Sequence, residues 1–134
     1  MKRIMLLTGR PGIGKTSVLL RTVKELKSKG FKIGGMISRE VREHGLRVGF
    51  EILDLATSRK GWLAHVKQTS GPKVGKYRVN LKDLNSVGAL SIEEAVRSSD
   101  VIIIDEIGPM ELYSPEFKRA VNDAVNSSKP VLGT

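Results

Sequence analysis

The 134-residue sequence predicts an α/β protein with a mostly parallel sheet flanked by helices. Three observations lead there: two aliphatic runs of strand length at residues 4–7 and 101–104, amphipathic stretches of helical period between strand-like segments, and a glycine-rich turn joining the first run to the first such stretch. Residues 2–8 (KRIMLLT) read as a continuous apolar strand, of the kind found in a parallel sheet covered on both faces and not at an exposed edge. After the turn, Val18, Leu19, Val23 and Leu26 recur at helical spacing with Arg21, Lys24, Glu25 and Lys27 on the other side, and Gly30 is the expected C-cap of this helix over residues 16–29.

Residues 31–38 (FKIGGMIS) and 48–55 (VGFEILDL) read as the second and third strands, with the polar segment 39–47 (REVREHGLR) as their connection, in a hairpin or a longer excursion. Residues 56–76 show the weakest pattern, anchored only by Trp62, Leu63 and Val66, and residues 77–79 form a short strand. Ser91-Ile92-Glu93-Glu94 matches a capping box, which predicts a helix from Ser91 to about Ser99. The second aliphatic run ends in Asp105 and Glu106. Ser114-Pro115 then supplies an N-cap and first helical position for Phe117, Ala120, Val121, Ala124 and Val125, and residues 130–134 begin another strand.

Composition narrows the function. The chain has no Cys, which excludes a disulfide scaffold, a thiolate zinc site and cysteine catalysis, and neither aliphatic run is long enough to span a bilayer, so a cytoplasmic protein without membrane attachment is expected. His44 and His65 lack the spacing and partners of a metal site. The net charge of +9 is concentrated in residues 1–50, which hold 12 Lys/Arg against 3 Glu. Such a surplus attracts triphosphates or nucleic acid. Lys24, Lys27 and Lys29 fit a solvated helix face, however, and the few aromatics, 4% of residues, are scattered, so a nucleic-acid platform is not favoured. Trp62 and Phe117 read as packing anchors.

The chemistry-bearing residues form two blocks. Gly9-Arg10-Pro11-Gly12-Ile13-Gly14-Lys15-Thr16 satisfies G-x-x-x-x-G-K-[ST], the phosphate-binding loop or Walker A motif. A triphosphate needs several main-chain N–H groups turned inward, which glycines permit because no Cβ blocks the approach, and the following helix presents its positive end. In this pattern Lys15 reaches the β and γ phosphates and the Thr16 hydroxyl binds Mg²⁺. The second block, Val101-Ile102-Ile103-Ile104-Asp105-Glu106, is a buried strand ending in two carboxylates, as in Walker B. Adjacent residues at a strand end point different ways, which suits Asp105 to the metal and Glu106 to the attacking water. Arg10, Arg39, Arg42, Arg47 and Arg59 are candidates for a further cation beside the transferred phosphoryl group. Thr134 is a candidate contact to the γ phosphate, although its place at the end of an apolar run reads as incidental.

GRPGIGKT, SREVREHGLRVGFEILDL, VGKYRV and VIIIDEIGPMEL occur in the order and character of one family, and on these stretches the chain resembles the thermophile-type, or cancer-related, nucleoside-triphosphatases. The resemblance spans nearly the whole sequence. It implies a P-loop NTPase fold with a RecA-like sheet in which a later strand, residues 130–134, separates the Walker A and Walker B strands. It also implies hydrolysis of ATP, GTP and other nucleoside triphosphates to the diphosphate and phosphate with Mg²⁺, with little base selectivity. By the same resemblance, Gly9, Arg10, Pro11, Gly12, Ile13, Gly14, Lys15 and Thr16 bind the phosphates. Val101, Ile102, Ile103, Ile104, Asp105, Glu106, Ile107 and Gly108 line the nucleotide site, with Lys15 and Glu106 catalytic and Thr16 and Asp105 on the metal. The resemblance does not identify a protein partner. The family pattern continues past residue 134 with a further strand and helix, whose loss from this single domain is expected to expose an edge strand.

Competing readings share the phosphate loop. A small nucleotide or nucleoside kinase would pass the γ phosphoryl group to an acceptor instead of water, and a nucleotide-gated nucleic-acid or protein-binding module would use the basic N-terminal third. A signalling GTPase is suggested by Asp105-Glu106-Ile107-Gly108, which spells D-x-x-G. That reading lacks an N-K-x-D to recognise guanine, because Asn80-Leu81-Lys82-Asp83 has the wrong order.

Overall fold

A computed structural model of the chain describes residues 3–10 and 13–134. Its eight strands form one sheet in the order β1-β8-β7-β2-β3-β4-β6-β5. Strands β1 (Ile4–Leu6), β8 (Val131–Gly133), β7 (Val101–Asp105) and the first part of β2 (Ile33–Glu43) run parallel. As expected, the strand after Pro130 lies between the Walker A and Walker B strands. Strands β3 (Leu46–Asp54), β4 (Lys60–His65), β6 (Tyr77–Val79) and β5 (Lys73–Val74) add an antiparallel wing, so the sheet is mixed, with its parallel half carrying the two motifs.

Helix α1 (Lys15–Ser28) covers one face of the parallel half, where Leu19 and Val23 pack with Ile33, Ile37, Val101 and Ile103. Its end lies one residue before the expected position: Lys29 is the C-cap and Gly30, at φ 89°, is the left-handed residue after it. The Gly30 and Phe31 amides donate to the carbonyls of Lys27 and Leu26, closing a Schellman motif. The other face is covered by α2 (Leu81–Asp83), a π-helical turn (Leu84–Ala89), α3 (Leu90–Ser98) and α4 (Pro115–Asn126), over a core that includes Met36, Ile52, Leu84, Ile92, Ile102, Ile104 and Phe117. The Ser114 hydroxyl caps α4 by accepting from the Phe117 amide, with Pro115 in the first turn, as the sequence predicts. No helix among the described residues is long and apolar enough to cross a membrane.

Three expectations are corrected and one open alternative is resolved. The first strand is not enclosed: Ile4, Met5 and Leu6 are 39%, 62% and 52% exposed, because β1 stands at the sheet edge with β8 as its single strand neighbour among the described residues. Lys2, placed in the same strand by the sequence, lies outside the described residues.

Of the two forms open to the polar segment 39–47, a hairpin and a longer excursion, the structure shows the hairpin. The segment forms the ends of β2 and β3, which continue as a two-residue hairpin through His44 (φ 51°) and Gly45 (φ 80°), a turn of the kind that matches strand twist. The ribbon projects beyond the main sheet, so its side chains meet water and read as polar.

The helix expected from Ser91 to about Ser99 is present as α3, but Ser91 does not cap it. The helical stretch starts ten residues earlier, where the Asn80 side chain accepts from the Asp83 amide, while the buried Ser91 hydroxyl donates to the Gly88 carbonyl within the preceding turn. Leu84, Val87, Gly88 and Ala89 are buried, so this run belongs to the core and not to a loop.

The segment with the weakest pattern holds β4 and β5. Within β4, Leu63 and Ala64 are buried, while Trp62 packs edge-on against His65 at 4.7 Å between ring centroids.

Candidate active site

The site forms where the parallel strands end. Gly14, at φ 96°, is the residue before α1 and adopts the left-handed conformation that glycine tolerates at low cost. Its carbonyl accepts the first helical bond from Val18, and no described side chain caps the helix, which leaves the main chain at this end to meet an anion. The Lys15 ammonium folds back onto the Gly9 carbonyl at 3.0 Å. Pro11 and Gly12, expected among the phosphate-binding residues, lie outside the described residues.

The second motif is brought in by β7, whose neighbour β2 approaches closely because of Gly35. At φ 110°, this residue faces the Ile103 backbone so tightly that a Cβ would overlap its carbonyl oxygen. Strand β7 delivers Asp105 directly to the start of α1: Thr16 Oγ1 donates to Asp105 Oδ2 at 2.8 Å across 89 residues of sequence. The other carboxylate oxygen, Oδ1, accepts from the Thr134 hydroxyl just after β8. Thr134, which the sequence gives as incidental, is thus a direct partner of the buried Asp105.

A cavity of about 410 Å³ opens here. Its floor is Gly14, Lys15, Thr16, Ser17, Asp105 and Glu106, and its wall is the β2–β3 ribbon with Ser38, Arg39, Glu40, Arg47 and Phe50. The sequence offers Arg39 and Arg47 only as two of five candidate arginines, because a polar stretch reads equally as a hairpin or a longer excursion. The register settles their position: Ile37 stands beside Asp105, so everything in β2 after Ile37 extends over the site.

The remaining candidates are placed elsewhere. Val101, Ile102, Ile103 and Ile104 are buried within the sheet and do not reach the cavity. Ile107 donates its amide to the Thr134 carbonyl, and Gly108 lies in the loop that follows. Gly9, Arg10 and Ile13 belong to the loop but do not line the cavity. Of the other arginines, Arg42 hydrogen-bonds Glu40 and the Gly45 carbonyl at the ribbon, and Arg59 pairs with Asp54 and Glu94.

One residue that sequence reasoning left unassigned adjoins the site. Glu111 is buried, and its Oε2 accepts from the Gly108 amide at 2.8 Å. A Cβ on Gly108 would lie 3.0 Å from carboxylate oxygens of both Glu106 and Glu111, so the two acids flank the same glycine. Burial pushes the Glu111 carboxyl up to about 7, the neighbouring Glu106 and Asp105 charges add to that rise, and the Gly108 and Glu111 amides oppose it. The signal for it was present in Gly108-Pro109-Met110-Glu111, an acid three residues after a glycine at a loop start.

The model of the NTPase family matches residues 4–134. The nucleoside-triphosphatase THEP1 of Thermofilum pendens is 56% identical over 129 residues, which are 96% of this chain and 71% of that protein. The protein of the same name from Methanosarcina acetivorans is 52% identical over 126 residues, 93% of this chain and 71% of its own length. Among solved structures, THEP1 from the hyperthermophile Aquifex aeolicus superposes with a TM-score of 0.84 at 32% identity, covering 98% of this chain and 75% of that one. A human cancer-related nucleoside triphosphatase superposes with a TM-score of 0.82 at 35% identity, with the same coverage. Sequence, fold and the meeting of the two motifs therefore agree: this chain belongs to the NTPase family.

Proposed function

We propose that the chain hydrolyses ATP, GTP and other nucleoside triphosphates to the diphosphate and phosphate, with Mg²⁺ and with broad base specificity. The observation that carries this reading is the 2.8 Å contact between Thr16 and Asp105 at the start of α1, on a cavity that also receives Lys15 and Glu106.

The donor set fits Mg²⁺, a hard cation that takes oxygen ligands and keeps several of its own waters. Thr16 and Asp105 would hold it, through a hydroxyl and a carboxylate oxygen that already meet. When bound, the ion supplies positive charge against the β and γ phosphate oxygens.

The protein's own groups do the rest. Main-chain amides at the start of α1 bind the phosphates, and the Lys15 ammonium leaves the Gly9 carbonyl for the β and γ oxygens. Glu106 orients a water in line with the γ phosphorus and accepts its proton. The water oxygen–phosphorus bond forms as the bond from phosphorus to the β,γ-bridging oxygen breaks, and the electron pair leaves with the diphosphate. Broad base use is supported by a cavity lined largely by phosphate-loop residues and charged side chains, and by a sequence without N-K-x-D; Asn80 and Asp83 instead begin a helix.

The test is phosphate release from ATP, GTP, CTP and UTP with and without Mg²⁺, on the native chain and on Glu106→Gln. Expected are Mg²⁺-dependent release from all four and, in the variant, retained nucleotide binding with kcat lowered about 10²-fold or more. Unchanged turnover in Glu106→Gln would remove this carboxylate from the mechanism, and absence of release from every triphosphate would overturn hydrolysis.

A further inference from the structure

Hydrolysis of a triphosphate gathers negative charge on the γ phosphoryl oxygens and the bridging oxygen, and a cation fixed beside them before reaction is worth more than one recruited from solvent. The β2–β3 ribbon brings two arginines to the cavity, Arg39 and Arg47, and the structure separates their roles.

Arg47 is the more heavily engaged of the two. Its Nε donates to the Tyr77 hydroxyl at 3.0 Å, Nη1 lies 3.5 Å from Glu40, and the guanidinium stands over the Phe50 and Tyr77 rings at 5.3 and 5.9 Å. These contacts tie the ribbon to β6.

Arg39 is placed differently. In parallel strands β2 and β7, Ile37 is paired with Asp105, and residues two apart along a strand share a face. Arg39 therefore stands on the face of Asp105, one step farther out over the cavity. That is the face covered by α1, as the packing of Leu19 and Val23 on Ile37 and Ile103 shows, so Arg39 is on the same side as Lys15 and Thr16. Its Nη2 reaches Glu51 Oε1 at 3.3 Å, the residue opposite it in the antiparallel register. A guanidinium has five N–H donors in a planar fork, and one carboxylate contact orients it while leaving donors for a phosphate.

We propose that Arg39 is the cation that binds the γ phosphoryl oxygens in the transition state of hydrolysis, with Glu51 as the positioning residue that aims it. The assignment rests on the hydrolytic reading above.

The experiment measures kcat for ATP with Mg²⁺ and, separately, the Kd of a fluorescent ATP analogue. Arg39→Ala should lower kcat about 10²–10³-fold, the loss typical of a preorganised donor, with Kd changed less than about threefold. Guanidinium ion added to Arg39→Ala should restore part of the turnover, which a variant damaged in its fold would not show. Arg39→Lys should fall between native and Ala, since an ammonium keeps the charge and loses the fork. Glu51→Gln should lower kcat with KM unchanged. Arg42→Ala, on the same ribbon and outside the cavity, should turn over at the native rate.

Native-like kcat in Arg39→Ala overturns the proposal while native turnover leaves hydrolysis standing. A rise in Kd equal to the loss in kcat/KM also overturns it, because Arg39 would then bind the ground state. Failure of the native chain to release phosphate is the separate result that sinks the hydrolytic reading.

Discussion

Strands β1 and β7 are both short, aliphatic and parallel, stand on either side of β8, and lead to the same cavity, yet Ile102, Ile103 and Ile104 are fully enclosed while Met5 and Leu6 are more than half exposed. Composition specifies that each is a strand. Burial is decided by the number of neighbours: β7 has β8 and β2 beside it and helices over both faces, whereas β1 has β8 alone among the described residues. The two halves of the site are therefore anchored by different means. Asp105 is the last residue of a strand locked in the core, while the phosphate loop is held from its far side, by α1 through Leu19 and Val23.

The largest effect expected from this contrast is in β7. Ile103→Ala should lower the unfolding free energy by about 2–5 kcal/mol in urea denaturation, the usual cost of emptying a well-packed aliphatic site. A loss below about 1 kcal/mol would show that β7 is no better anchored than β1.

The next effect sharpens the comparison with pH, because the buried acid of the site lies on the β7 side. The Glu111 carboxyl is raised from an ordinary 4.5 to about 7 in the folded chain. Folding thus favours its protonated form. The resulting stabilisation is complete below pH 4.5 and is lost as pH rises through 7, by up to roughly 3 kcal/mol for a shift of this size. Glu111→Gln should flatten the fall in Tm between pH 5 and 8. An unchanged slope in that variant would assign the pH dependence to other groups.

The smallest effect belongs to β1. Met5→Ala should shift the unfolding free energy by less than about 0.5 kcal/mol, since the side chain is already 62% exposed. A cost near that of Ile103→Ala would erase the distinction between the strands.

The same contrast explains what the sequence made legible. Local chemistry was readable: the glycine loop opening α1, Ser114-Pro115 opening α4, the aliphatic strand ending at Asp105, and the strand after Pro130 lying between the two motif strands. Properties set by nonlocal neighbours were not. The edge position of β1 depends on sheet order. Ser91 resembled a helix start because its hydroxyl and the acids after it fit a cap, but Asn80 had already capped the run, and the apolar residues between carry the π-helical turn. The ribbon was legible only as a hairpin or a longer excursion, since both its faces meet solvent at the tip and no alternation of apolar residues marks it. Consequently Lys15, Thr16, Asp105 and Glu106 could be found from motifs, whereas Thr134, Glu111 and the choice among five arginines required the fold.

The continuous pairing of β2 with β3 also sets where the chain tolerates a change of length. One residue added between Ile37 and Arg39 would rotate the outer part of the ribbon by half a pleat, carrying the guanidinium to the opposite side and breaking its alignment with Glu51. One residue added at His44-Gly45 would only lengthen a solvent-facing bend. Indels are thus expected to be accepted at the tip and refused at the root.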